Sequence, residues 1–198
     1  MKKLTAALLG VALVAAPAAP AFAGWKLIDK GEAVKVAKGP MYVTPGEDWN
    51  KWSVRPIKQG EIWTLDGMSL NEVYFVSDLA AGGTLYRDAN KKDAPLPKFS
   101  ASMGLTDIPE FVESSTRLSL NTSVFEMTSI EPAQLAGHQA VRFTYEYSIE
   151  GSALKRKGLG VGTIVGGKLH LLTFVAPATY FFERDLPKVE QIIASITL

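Results

Sequence analysis

The 198-residue sequence has no cysteine and only two histidines, His138 and His170. The first absence removes a disulfide framework and a lipid-modified cysteine together. The second leaves zinc with too few of its usual ligands, and neither H-x-x-x-H nor H-E-x-x-H occurs. A G-x-S-x-G nucleophile turn is missing as well. Charge of either sign is in short supply: 21 basic residues stand against 20 acidic ones, with no extended basic run. That balance gives no support to nucleic-acid binding. Long apolar runs are confined to the N-terminus, so no transmembrane segment is expected in the remainder.

What is present begins with an export pattern. Lys2 and Lys3 precede the short apolar run "LTAALLGVALVAA", and Ala21-Phe22-Ala23 supplies small residues at a cleavage site. Pro17 and Pro20 interrupt the run, which is too short to span a bilayer. Residues 1–23 are therefore expected to be a signal peptide and 24–198 a single periplasmic domain. Without Lys2 and Lys3, 19 basic residues face 20 acidic ones, a formal charge of −1.

The remainder is expected to be α+β. "WKLIDKGEAVKVAKGPMYVTP" reads as one or two strands broken at Gly39-Pro40, and "GEDWNKWSVRP" as a turn or irregular segment. "EIWTLDG" and "LNEVYFVSDL" read as a hairpin about Asp66-Gly67. Residues 80–102 read as a long loop with a short strand at "TLYR". Asp107 and Glu110 form a D-x-x-E helix start with Pro109 in the first turn, and Ile108, Phe111, Val112 and Ser115 share a face to about Leu118. "SVFEMTSIEPAQLAG" reads as a strand ending in a turn at Pro132. In "AVRFTYEYSIEG", Val141, Phe143, Tyr145 and Tyr147 alternate with Arg142, Thr144, Glu146 and Ser148, the pattern of a half-buried antiparallel strand. "GVGTIV" and "KLHLLTFVA" join through Gly166-Gly167, and "RDLPKVEQIIASITL" reads as a closing helix capped by Asp185. The sum is a twisted antiparallel sheet covered by about two main helices.

The stretch "KRKGLGVGTIVGGKLHLLTF" tests for phosphate binding. Gly158, Gly160 and Gly162 are two apart, the residue three beyond Gly162 is Val165, and a strand follows where a dinucleotide fingerprint needs a helix. Gly167-Lys168 continues with Leu169, so there is no Walker loop. Alternate glycines instead bare one face of a strand, letting a backbone or helix approach. The other use of such a face is a groove with Lys155, Arg156 and Lys157 at its mouth.

Further candidates are few. Ser152–Lys155 matches S-x-x-K but sits between strands without the partner motifs of penicillin-interacting enzymes. Asp48, Asp66, Asp78, Glu146 and Glu150 are dispersed, and a hydrolase would need two of them to converge. Aromatics are the remaining signal: Trp49 and Trp52 near Lys51 and Arg55, Tyr145 and Tyr147 on one strand face, and Tyr180 before the last helix. Such residues plug cores more often than they stack on ligands.

Taken in order, "EIWTLDG…LNEVYFV", "APLPKF…DIPEFVESS", "AGHQAVRFTYEY", "GGKLHLLTFVAP" and the terminal "IIASITL" resemble a family of uncharacterised exported proteobacterial proteins, over nearly all of residues 24–198. The closing half, with its F-x-Y strand, its "GKL" strand and its I-x-x-S helix, is similar to the Mog1/PsbP-like fold. That resemblance implies an accessory factor that binds other proteins and brings no catalytic residues or cofactor. The function expected is thus a non-catalytic periplasmic accessory or binding protein contacting an envelope protein, lipid or polymer, with Trp49, Trp52, Tyr145, Tyr147 and Tyr180 as candidate contacts. The alternative is an envelope hydrolase whose carboxylates meet only in the fold.

Overall fold

A computed structural model describes residues 24–89, 92–152 and 154–198; the expected signal peptide, residues 1–23, lies outside them. Along the described residues run β1 (Trp25–Ile28), β2 (Val34–Lys35), β3 (Tyr42–Val43), β4 (Trp49–Trp52), β5 (Gly60–Thr64) and β6 (Glu72–Leu79). A 3-10 turn (Leu105–Asp107) leads into α1 (Ile108–Leu120). Then come β7 (Val124–Leu135), β8 (His138–Ser148), β9 (Lys155–Val165), β10 (Lys168–Pro177) and α2 (Phe181–Ser195). Eight strands form one sheet in the order β1-β4-β5-β6-β10-β9-β8-β7, and β2 pairs with β3 in a separate ribbon. Every pairing is antiparallel. The architecture is α+β, a large antiparallel sheet with two helices.

Period-two patterning puts an apolar layer on each side of the sheet. On one side α2 and the β2–β3 ribbon enclose Trp49, Trp63, Phe75, Leu172, Phe174, Phe182, Val189 and Ile192. On the other, α1 and the loop after β6 enclose Tyr74, Val76, Phe99, Ile108, Phe111, Phe143, Tyr145 and Leu171. The α1 stripe read from spacing is the buried one: Ile108, Phe111, Val112 and Ser115 are all inaccessible. Burying each of its large apolar side chains contributes about 1.5–3 kcal/mol before entropy is subtracted.

Several local expectations need correction. The segment around Trp49–Trp52 is strand β4, held between β1 and β5, because its prolines flank the paired residues and do not interrupt them. No strand forms at "TLYR": Leu85 and Phe99 plug the core beneath the loop, whose neck is closed by Gly82 and Gly83 bonding to Phe99. β7 does not end at Pro132 but runs to Leu135, and Pro132 stands opposite Val141. β7 is the sheet's edge strand, where a missing N–H is tolerated. The Asp107 carboxylate accepts from the Gly104 N–H at 2.8 Å, closing the 3-10 turn and not capping α1.

The closing helix starts a turn earlier than expected, at Phe181, so Asp185 is no cap. It lies buried and accepts from Asn71 Nδ2 at 2.9 Å, Arg184 Nε at 2.8 Å and Lys188 Nζ at 3.2 Å. Burial pushes its carboxyl up, but those bonds and the Arg184 charge hold it below the ordinary aspartate value. Asn71 in turn accepts from Thr64 Oγ1 at 2.7 Å and Leu65 N at 2.8 Å. This network ties the β5–β6 turn to α2 and fixes the strand end that presents Glu72 to the opposite face.

The glycine stretch is a strand, as expected, but what lies over it differs from glycine to glycine. A Cβ on Gly158 would sit 2.2 Å from Tyr145 Cζ, and one on Gly160 would sit 2.1 Å from Phe143 Cζ. The bare face is filled by rings from the neighbouring strand β8, not by another backbone or a helix. Only at Gly162 does a helix close in, with Ile108 Cγ2 3.1 Å from the Cβ position. Gly166 and Gly167 have φ of 57° and 73° and connect Val165 to Lys168, a two-residue turn that needs left-handed backbone.

Candidate ligand cavity

On the α1 side the apolar layer is incomplete. A cavity of about 540 Å³ opens between the sheet, the end of α1 and the segments that follow β4 and β6. Its size is that of small-molecule sites. Strand alternation builds the floor: Tyr74 from β6, Thr173 and Val175 from β10, and Tyr145 and Tyr147 from β8. Trp52 from β4, Ile62 from β5, Tyr86 from the loop, and Thr116 and Leu120 from α1 form the walls. Arg87, Ser69, Ser119 and Val54 are exposed at its mouth.

The rings are held in place by each other. Tyr145 stacks on Phe125 at 4.9 Å between centroids and lies 6.3 Å from Tyr147. Tyr74 stacks on Tyr86 at 5.8 Å. Tyr74 donates its hydroxyl to the Leu85 carbonyl, and Tyr86 Oη is 3.1 Å from Thr116 Oγ1. Burial pushes the phenols of Tyr74, Tyr145 and Tyr147 well up, and that of Tyr86 up to about 12. They stay neutral hydrogen-bonding groups throughout the physiological range.

One carboxylate lines the cavity, Glu72. Burial pushes its pKa up to about 7, against the opposing pull of the Arg156 charge. Three guanidiniums also line the cavity: Arg55, Arg87 and Arg156. Arg55 is engaged by Glu61 at 3.0 Å, a buried carboxylate that also takes Lys51 at 2.8 Å. Arg156 donates to the Ser69 carbonyl at 3.0 Å.

The five aromatic candidates fall in different places. Trp52, Tyr145 and Tyr147 meet in the cavity. Trp49 is fully buried on the α2 side, packed in the other core. Tyr180 is 67 % exposed at the start of α2, with φ of 101°; its ring meets Phe181 edge-on and lies against the Arg184 guanidinium. The basic triplet also divides: Arg156 faces the cavity, while Lys155 pairs with Glu146 and Lys157 with Glu183 at 2.7 Å on the other face. Spacing missed Glu72, Tyr74 and Tyr86; alternation along "NEVYFV" puts Glu72 and Tyr74 on one face, but nothing in the sequence says that face is left partly open.

The dispersed carboxylates do not converge in pairs around a cleft. Asp66 contacts Arg184, Asp78 lies 3.0 Å from Lys168, and Asp48 accepts from the Lys30 N–H at 2.9 Å. His170 is buried, its Nδ1 3.3 Å from Ser77 Oγ, and burial lowers its pKa. His138 is exposed at the start of β8. Ser152 accepts from the Leu154 N–H at 3.2 Å in a turn, with no helix following. Among the described residues no helix is long and apolar enough to cross a membrane.

No protein-family model and no curated protein sequence matches the chain. Solved structures give a weak, fold-level likeness. The cyanobacterial PsbP of Synechocystis sp. PCC 6803 has a TM-score of 0.41 at 14% identity, over 89% of this chain and 82% of that one. LpqN, involved in cell envelope biogenesis of Mycobacterium tuberculosis, has a TM-score of 0.39 at 10% identity, over 87% and 90%. A protein of unknown function from Pseudomonas aeruginosa has a TM-score of 0.42 at 16% identity, over 82% and 92%.

Proposed function

We propose that this protein is a non-catalytic periplasmic binding protein and that the tyrosine-lined cavity beside α1 is where it holds a small ligand. One observation carries the reading. The cavity has aromatic and aliphatic walls, neutral phenols and a single carboxylate, which suits holding a molecule and lacks the second acid that glycoside hydrolysis requires. Within the envelope such a protein would act as an accessory that carries or senses its ligand, the finer form of the exported family resemblance.

Two measurements test it. The neutral fluorophore N-phenyl-1-naphthylamine is expected to bind with one-to-one stoichiometry. Val175→Phe, which adds a ring at the cavity floor, should weaken that binding at least tenfold while leaving the far-ultraviolet circular dichroism unchanged. Unaltered binding in the variant would remove the cavity from the account. Export rests on the N-terminal pattern of residues 1–23. The intact mass of the protein recovered from its own periplasm should correspond to a chain beginning at Gly24; a mass retaining residues 1–23 contradicts it.

A further inference from the structure

We propose that the cavity selects a free amphiphilic organic anion, with its apolar body on the tyrosine floor and its carboxylate, sulfonate or phosphate at the mouth between Arg87 and Arg156. The inference rests on the cavity being the binding site and adds the charge class of the ligand. The floor and walls, from Tyr145 to Ile62, offer rings and branched aliphatic groups with few polar atoms. The polar groups are distributed differently. Arg55, Arg87 and Arg156 line the cavity against one acid, Glu72. Of the three arginines, Arg55 is the one paired with Glu61, which also holds Lys51.

A second observation points the same way. The adjoining groove shares Arg55 and Arg87 with the cavity and adds Lys58 and Lys98, with Asp88 as its one lining acid. Cations therefore continue along the surface on which an incoming head group would first settle. Guanidinium pairs well with carboxylate, sulfonate and phosphate oxygens because its N–H groups form a planar fork. A cationic ligand would meet that band first. A fully apolar ligand would leave the arginines of the mouth without a role in selection. A volume of about 540 Å³ suits one drug-sized body.

A matched pair of fluorophores separates the charge class from the site itself. 1-Anilinonaphthalene-8-sulfonate has the body of N-phenyl-1-naphthylamine plus one sulfonate. The anion should bind at least tenfold more tightly than the neutral compound. Arg156→Gln should weaken the anion about tenfold and the neutral probe less than twofold, as loss of one charge-assisted hydrogen bond requires. Arg87→Gln, at an exposed position, should act in the same direction and is safe for folding. Decanoate should displace the sulfonate probe competitively, and phosphatidylglycerol vesicles should not. If the neutral probe binds as tightly as the anion, or the arginine variants weaken both equally, the cavity remains a site but anion selection is wrong. If vesicles displace the probe and decanoate does not, the ligand is a lipid head group at a membrane and the free-anion assignment is overturned. If neither probe binds, the underlying reading of the cavity falls with it.

Discussion

Gly160→Val is expected to lose about 3 kcal/mol of stability or more, a fall in melting temperature of roughly 6–12 °C for a domain of this size. A valine is ordinarily the better strand residue, so propensity alone predicts the opposite sign. The geometry decides. The new Cβ would lie 2.1 Å from Phe143 Cζ and 2.4 Å from Phe143 Cε2, and Phe143 is fully buried with Tyr145 6.1 Å away on one side. The ring cannot retreat without displacing the stack that also shapes the cavity floor. Phe143→Ala alone should cost about 3–5 kcal/mol, as large-to-small core changes do. Combined with Gly160→Val, it should cost clearly less than the two losses added, because the valine enters the space the ring leaves. A coupling of about 1–3 kcal/mol of that sign, from urea unfolding of the four proteins, is the expected result. Additive losses would mean that the ring is not what the glycine makes room for.

The same strand shows how much was legible beforehand. Alternation established that Gly158, Gly160 and Gly162 share a face and that Tyr145 and Tyr147 share one on the neighbouring strand. It could not supply the register Gly158↔Tyr145 and Gly160↔Phe143, which lays the rings over the glycines. Register depends on pairing along the whole hairpin, and either strand taken alone is silent about it. The α+β class, the β9–β10 turn and the buried stripe of α1 followed from local rules, because period and turn chemistry are local properties. Asp185 misled for a related reason. An aspartate just ahead of an apolar helical stripe looks like a cap, whereas its partner Asn71 is 114 residues away in the chain. The cavity was the least legible feature of all. Trp52, Tyr145, Tyr147 and Arg156 stood out individually, yet they come from three strands, and the space between them exists only because α1 and the loop after β6 leave that part of the sheet uncovered.

Glu72 sets the second large expectation. Its pKa in the folded protein is about 7, against an ordinary value of 4.5. Between those values the folded state holds a proton that the unfolded state has released, so stability falls as pH rises. The penalty is absent below about 4.5 and complete above about 7, where a shift of this size corresponds to roughly 3 kcal/mol. Around the carboxyl are Tyr74 on its own strand, Tyr145 and Tyr147 on β8, Tyr86 on the loop and Arg156 on β9, with Arg55 and Arg87 on the same cavity wall. The buried tyrosines remain neutral over this range, so Glu72 is the acid of the cluster that titrates within it. Glu72→Gln keeps the shape and removes the charge. The variant should match the parent at pH 4.5 and exceed it by about 3 kcal/mol at pH 8, a gain in melting temperature of about 6–12 °C. Asp185, whose pKa is lowered, contributes acid-side losses to both proteins and cancels in the difference. The same ionisation places a negative charge beside the anion's seat, so 1-anilinonaphthalene-8-sulfonate should bind the parent more weakly at pH 8 than at pH 6 and bind Glu72→Gln equally at both. A stability difference that does not change with pH would show that Glu72 is solvated as an ordinary carboxylate, and the cavity would then be wetter and less selective than its walls imply.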